Sequence, residues 1–96
     1  TINLDNYKNI IYLNISRNEI CGGFEDHNII ELNCEYNNIT SVVSNSIQKL
    51  NACSNNITSI SVPRVKILLI NDNKLNKLDT EISDRLSELV TPNHYN

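Results

Sequence analysis

The chain has 96 residues, with 8 Lys and Arg against 11 Asp and Glu, a net charge of −3, few aromatic residues and neither Met nor Trp. That length supports one domain with a modest core, and the scattered cations form no basic stripe of the kind that nucleic acid or an anionic membrane surface requires. No apolar run approaches the roughly twenty residues that cross a bilayer, and the start, TINLDNYKNI, lacks a basic segment followed by an apolar one.

In chain order, Ile2, Leu4 and Tyr7 read as the tail of a repeat unit, matching Ile57, Ile60 and Val62 approximately. Four segments then superimpose: IIYLNISRNEI from Ile10, IIELNCEYNNI from Ile29, IQKLNACSNNI from Ile47 and VKILLINDNKL from Val65. Each is apolar at its first, fourth, sixth and eleventh places and carries Asn at its ninth, and the starts are spaced by 19, 18 and 18 residues. Matches at five places in four units, all in phase, define the organisation: a partial unit over 1–9, repeats over 10–28, 29–46, 47–64 and 65–85, and a degenerate cap over 86–96.

The alternation at the fourth to sixth places, as in Leu13-Asn14-Ile15, has the period of a strand with one buried face. Each strand is followed by a return segment before the next begins, so neighbouring strands run parallel through crossovers, which are right-handed in nearly all cases. The ninth-place column of Asn18, Asn37, Asn55 and Asn73 stands where the chain turns inward. An amide side chain carries donors and acceptors together and can bridge adjacent turns in a ladder, meeting backbone groups that would otherwise be buried unpaired.

Return segments such as TSVVSNS and TSISVPR are too short and too β-branched for a helix with two turns, so extended or single-turn 3₁₀ backbone is expected there. The stretch LDTEISDRLSEL differs: Ile82, Leu86 and Leu89 stand at helical spacing, with Asp79 or Thr80 placed to cap. Leu86, Leu89 and Thr91, with His94 in the Asn place, also fit a degraded fifth unit.

The pattern L-x-x-L-x-L-x-x-N-x-L resembles that of the leucine-rich-repeat family over nearly the whole chain. The resemblance implies an α/β repeat: a right-handed solenoid with a short-stranded parallel sheet on its concave face, a mostly extended or 3₁₀ convex side, and a C-terminal capping helix or degenerate repeat. It also places function on the concave face. There the outward places supply Tyr12, Arg17, Glu31, Glu35, Tyr36, Lys49, Ile67 and Leu69 as the candidate protein-binding residues. Tyr and Arg are enriched in binding hot spots, and Ile67 with Leu69 makes an outward apolar patch. The fifth-place column of Asn14, Asn33 and Asn51 is either solvated or hydrogen-bonded within itself.

No nucleophile motif, cofactor motif or metal-ligand spacing stands out. His27 and His94 fall in a loop and a tail, and Glu25-Asp26-His27 would need a further ligand from elsewhere to hold a metal. Cys34 takes a core place, Cys53 an outward one, and three cysteines without close pairing suit a reducing, cytoplasmic setting with no disulfide. Sequons beginning at Asn14, Asn38 and Asn56 are expected by chance in so Asn-rich a chain. The expectation is a non-enzymatic module that binds a partner protein without cofactor; the alternative is a structural solenoid that self-assembles into homo-oligomers.

Overall fold

In a computed structural model of the chain, residues 10–75 are described, together with the strand backbone of Ile2–Asn3 and Glu88–Leu89. The elements in order are β1 (Ile2–Asn3), β2 (Tyr12–Asn14), β3 (Cys21–Glu25), β4 (Glu31–Asn33), β5 (Asn38–Val43), β6 (Lys49–Asn51), β7 (Ser59–Ser61), β8 (Ile67–Leu69) and β9 (Glu88–Leu89). They form two parallel sheets, β1-β3-β5-β7 and β2-β4-β6-β8-β9. The chain winds alternately through them as a parallel-strand solenoid of about three turns.

The second sheet was not foreseen. The return segments are extended, as expected, and they also pair with one another: Ser41–Val43 aligns with Ser59–Ser61. The described residues contain no helix. Of the segment expected to cap as a helix, residues 76–87 lie outside the described residues, and at Leu89 the backbone is a strand. β9 pairs with β8 so that Leu89 stands opposite Leu68, the fourth place, as a degraded fifth unit requires.

Between the sheets lies one core. Leu32, Leu50 and Leu68 point in from the β2 sheet and Phe24 and Val42 from the other, all at 0–1% exposure, with the first-place Ile29 and Ile47 beside them. The strands of the β2 sheet run from the third to the fifth place, one earlier than the alternation suggested. The fifth-place Asn ends each one: Asn14, Asn33 and Asn51 accept through Oδ1 from the N–H two residues on, of Ser16, Glu35 and Cys53. These are Asx turns, so the column is neither simply solvated nor bonded within itself.

Three residues after that fifth place the backbone turns left-handed. Arg17, Tyr36, Ser54 and Asp72, the eighth place of each unit, have φ of 58, 57, 57 and 59°. L-residues pay about 1–2 kcal/mol for that region, and the ladder that follows offsets it. Asn55 Nδ2 donates to Cys34 O of the preceding coil at 3.0 Å and to Ala52 O and Cys53 O of its own, both at 3.2 Å. Its Oδ1 accepts from Ile39 N of the preceding coil at 3.0 Å. Asn37 and Asn73 repeat the same four contacts one coil earlier and one later.

At the opposite corner the chain re-enters the β2 sheet by three different means. Asp26 Oδ2 accepts from the N–H groups of Asn28 and Ile29, and Ser44 Oγ accepts from Ser46 and Ile47. At the third corner, Val62 offers its backbone carbonyl to Val65 N across Pro63-Arg64.

The first repeat spacing, one residue longer than the others, is absorbed in β3. Ile20 and Phe24 are four residues apart, whereas Ile39–Val42 and Ile57–Ile60 are three apart. The pairing with β5 shifts register between Gly22 and Gly23, and Gly22 takes a φ of 84° that only glycine adopts readily. The start of the chain also aligns differently from the sequence match. Ile2 pairs with Phe24, which pairs with Val42 and so with Ile60, placing Ile2 in the Ile60 column rather than the Ile57 column. A match by residue type cannot distinguish two apolar columns three places apart; strand pairing does. Leu4 and Tyr7 lie outside the described residues.

Candidate functional site

The outward face of the β2 sheet gathers the residues singled out from the sequence. Strand pairing places Tyr12, Glu31, Lys49 and Ile67 in one row across the coils, and Asn14, Asn33, Asn51 and Leu69 in the next. Successive strand side chains point to opposite faces, so the buried Leu32, Leu50 and Leu68 force these two rows outward. Tyr12 is 53% exposed and Lys49 is exposed, while Glu31, Ile67 and Leu69 are half-buried. Ile67 and Leu69 flank the buried Leu68 and form the expected apolar patch. It does not lie at the sheet's edge, since β9 pairs beyond it.

Charge on this face is partly self-compensated. Lys49 Nζ lies 3.9 Å from Glu31 Oε2, both side chains near half exposure, a solvent-screened pair that orders the row more than it stabilises the fold. At the C-terminal side of the strands, the Arg17 guanidinium stacks on the Tyr36 ring, 4.3 Å from its centroid. Both residues occupy the left-handed eighth place, and that backbone shape throws their side chains out of the solenoid and over one another across adjacent coils. The stack presents a planar cation on an aromatic face, a pairing worth about 0.5–1 kcal/mol at an exposed site. Half-buried Glu35 stands between them in sequence order, its N–H held by Asn33 Oδ1 and its carbonyl accepting from Arg17 N.

The cysteines divide as follows. Cys34 is buried, and burial pushes its thiol up to about 12, with Cys53 and Glu35 adding to the rise and a backbone hydrogen bond opposing it. Cys53 is half-buried rather than exposed as the sequence suggested, because its seventh place lies in the turn below the strand, between the flanking coils. Its thiol is also raised, by burial first, against a hydrogen bond from the Asn71 backbone. Neither is activated as a nucleophile. No disulfide joins Cys21, Cys34 or Cys53.

His27 is more embedded than a bare loop residue. Its Nε2 is 3.0 Å from Glu25 Oε2, and its Nδ1 accepts from Asn45 N of the next coil at 3.2 Å. This fixes the ring as a strut between two corners. Among the described residues no group of three or more His, Cys, Asp or Glu is arranged to hold a metal. His94 lies outside the described residues. An open groove of about 470 Å³ runs beside Gln48, Pro63, Arg64, Val65 and Lys66, away from the Arg17–Tyr36 stack. No helix among the described residues is long and apolar enough to cross a membrane.

Sequence columns located the face; what they missed was its turn edge. The left-handed eighth place carries no glycine or uniform residue type, and the Asx turns beneath it were hidden in an ordinary-looking Asn column. The chain matches no protein-family model, no curated protein and no solved structure.

Proposed function

We propose that the chain is a leucine-rich-repeat module, wound right-handed, that recognises a partner protein through the outward face of the β2 sheet as its concave surface. The observation that carries this reading is the co-location on one face of the Arg17–Tyr36 stack, exposed Tyr12 and the Ile67–Leu69 patch. Aromatic and guanidinium anchors beside a small apolar patch, on rigid strands, are the ingredients of a binding surface. The role proposed is binding without catalysis or cofactor, in a reducing cytoplasmic setting suited to three unbridged thiols; among the described residues that face carries strand and turn side chains of the kinds that make contacts.

The test is affinity capture with the folded chain and two sets of variants. Tyr36→Ala and Leu69→Ser should each abolish retention of a specific partner, whereas Thr40→Ala and Ser59→Ala on the opposite sheet should not. Equal retention by all four would remove the β2 face from the interaction. A second reading, a self-assembling solenoid, draws on the exposure of Ile11 and Tyr12, 63% and 53%, at the edge strand β2. Sedimentation at rising concentration separates the two readings.

A further inference from the structure

The fifth-place asparagines of the outward face divide their two functions. Asn14, Asn33 and Asn51 each spend Oδ1 on the N–H two residues on, and Asn14 Oδ1 also accepts from Ser16 Oγ at 2.7 Å. Asn33 and Asn51 each stand in a coil with described coils on both sides, and their Nδ2 groups donate to nothing among the described residues. They are not buried either: Asp26 Oδ1 is the one buried side-chain polar atom without a partner among the described residues. Strand pairing aligns Asn14 with Asn33 and Asn33 with Asn51, and the row runs on into Leu69. The oxygens face into their turns, so the row presents preset N–H donors at the spacing of the coils. The charges beside it, Lys49 and Glu31, face each other at 3.9 Å.

What complements such a row is a line of neutral acceptors without donors. A peptide backbone offers carbonyls, but ordinarily an N–H with each, which would find its acceptor already engaged here; proline has the carbonyl and lacks the N–H. Spacing makes the same choice. Parallel strands lie about 4.8 Å apart, so Asn14 and Asn51, two coils apart, are separated by about 9.6 Å. Three residues of polyproline II rise about 9.3 Å and bring the same side of the ligand round again. Two residues of extended strand rise about 6.6 Å and fit neither one coil nor two, and a helix keeps its carbonyls for itself.

We propose, on the partner-binding reading of this face, that its partner is a proline-rich segment in polyproline II conformation. The segment lies across the coils with carbonyls three residues apart on Asn14 and Asn51. Exposed Tyr12, on the same strand as Asn14, offers a ring for proline to pack on, and the Ile67–Leu69 patch offers an apolar seat at the far end. Asn33 stands at the half phase, where the ligand turns its carbonyls away.

The test is NMR titration of the folded chain with acetyl-decaproline amide, with a Gly-Ser peptide of equal length as control. Saturable shifts of the Asn14 and Asn51 side-chain amide signals are expected with decaproline and not with the control. Asn14→Asp and Asn51→Asp keep the turn acceptor and replace the donors, so each should weaken decaproline binding by about tenfold at a urea midpoint close to the parent's. Asn33→Asp should weaken it by less than about threefold. Asn51→Ser, which also keeps an oxygen for the turn, takes the place of the Asp variant if that variant lowers the midpoint. Absent shifts, an equal response to the control peptide, or full binding by both Asp variants overturns the proposal. So does a loss at Asn33 as large as at Asn51, which would mean a carbonyl at every coil. Affinity capture that is lost on Tyr36→Ala, together with no response to decaproline, removes the proline-rich partner and leaves the partner-binding reading standing.

Discussion

The two corners of the solenoid do related jobs with opposite tolerance. Where the chain leaves the β2 sheet, Asn37, Asn55 and Asn73 make the same four contacts in coil after coil. Where it returns, the equivalent work is done by a carboxylate at Asp26, a hydroxyl at Ser44 and a backbone carbonyl at Val62. The first corner must satisfy buried carbonyls and a buried N–H at once, and among the side chains only an amide of that length carries both functions in the required fork. The second corner needs only an acceptor for N–H groups, which a carboxylate, a hydroxyl or the backbone itself can supply. Uniformity in a repeat column thus reports how many kinds of partner the site demands.

Asn55→Ala should break this comparison most sharply. Ala52 O keeps Asn73, Cys34 O keeps Asn37 and Cys53 O keeps Tyr36 N, so the one stranded group is Ile39 N, while each of the three carbonyls loses one donor. The unmet Ile39 N–H costs about 1–3 kcal/mol, and with the three hydrogen bonds lost to shared carbonyls the total in urea unfolding is about 2–5 kcal/mol. Asn55→Asp should cost a similar amount despite matching in shape, because it keeps the acceptor and removes the donors; a near-silent Asp variant would show that the acceptor alone matters. Ser44→Ala should cost less, about 1–2 kcal/mol, since it removes only an acceptor, from the buried Ile47 N–H and the part-buried Ser46 N–H, and no donor.

Asp26→Ser sharpens the contrast from the other side. Asp26 is fully buried with its Oδ1 unpartnered among the described residues, while Ser44 holds the equivalent corner with a single oxygen. The serine variant should therefore lie within about 1 kcal/mol of the parent, and a loss beyond 2 kcal/mol would mean that this corner is as exacting as the Asn corner. Smallest of all is the expected effect of Leu69→Ser, about 0.5 kcal/mol or less on folding. Its side chain points outward beside buried Leu68, so cooperative unfolding at a much lower urea midpoint would show the β8 register to be displaced by one residue.

Sequence alone determined what repeats in phase: four units, an inward Leu column, an outward row from Tyr12 to Ile67, and an Asn ladder, because each depends on residue type at fixed spacing. Tertiary structure decided what depends on partners far away in the chain. Strand pairing turned the return segments into a second sheet, since Ile39 and Val42 stand three apart rather than two and show no strand alternation by themselves. It moved Ile2 to the Ile60 column, and it placed the extra residue of the first spacing at Gly22–Gly23. It also brought Arg17 onto Tyr36, a contact set by the left-handed backbone of two residues 19 positions apart, which share a column but no chemical likeness for a sequence pattern to reveal.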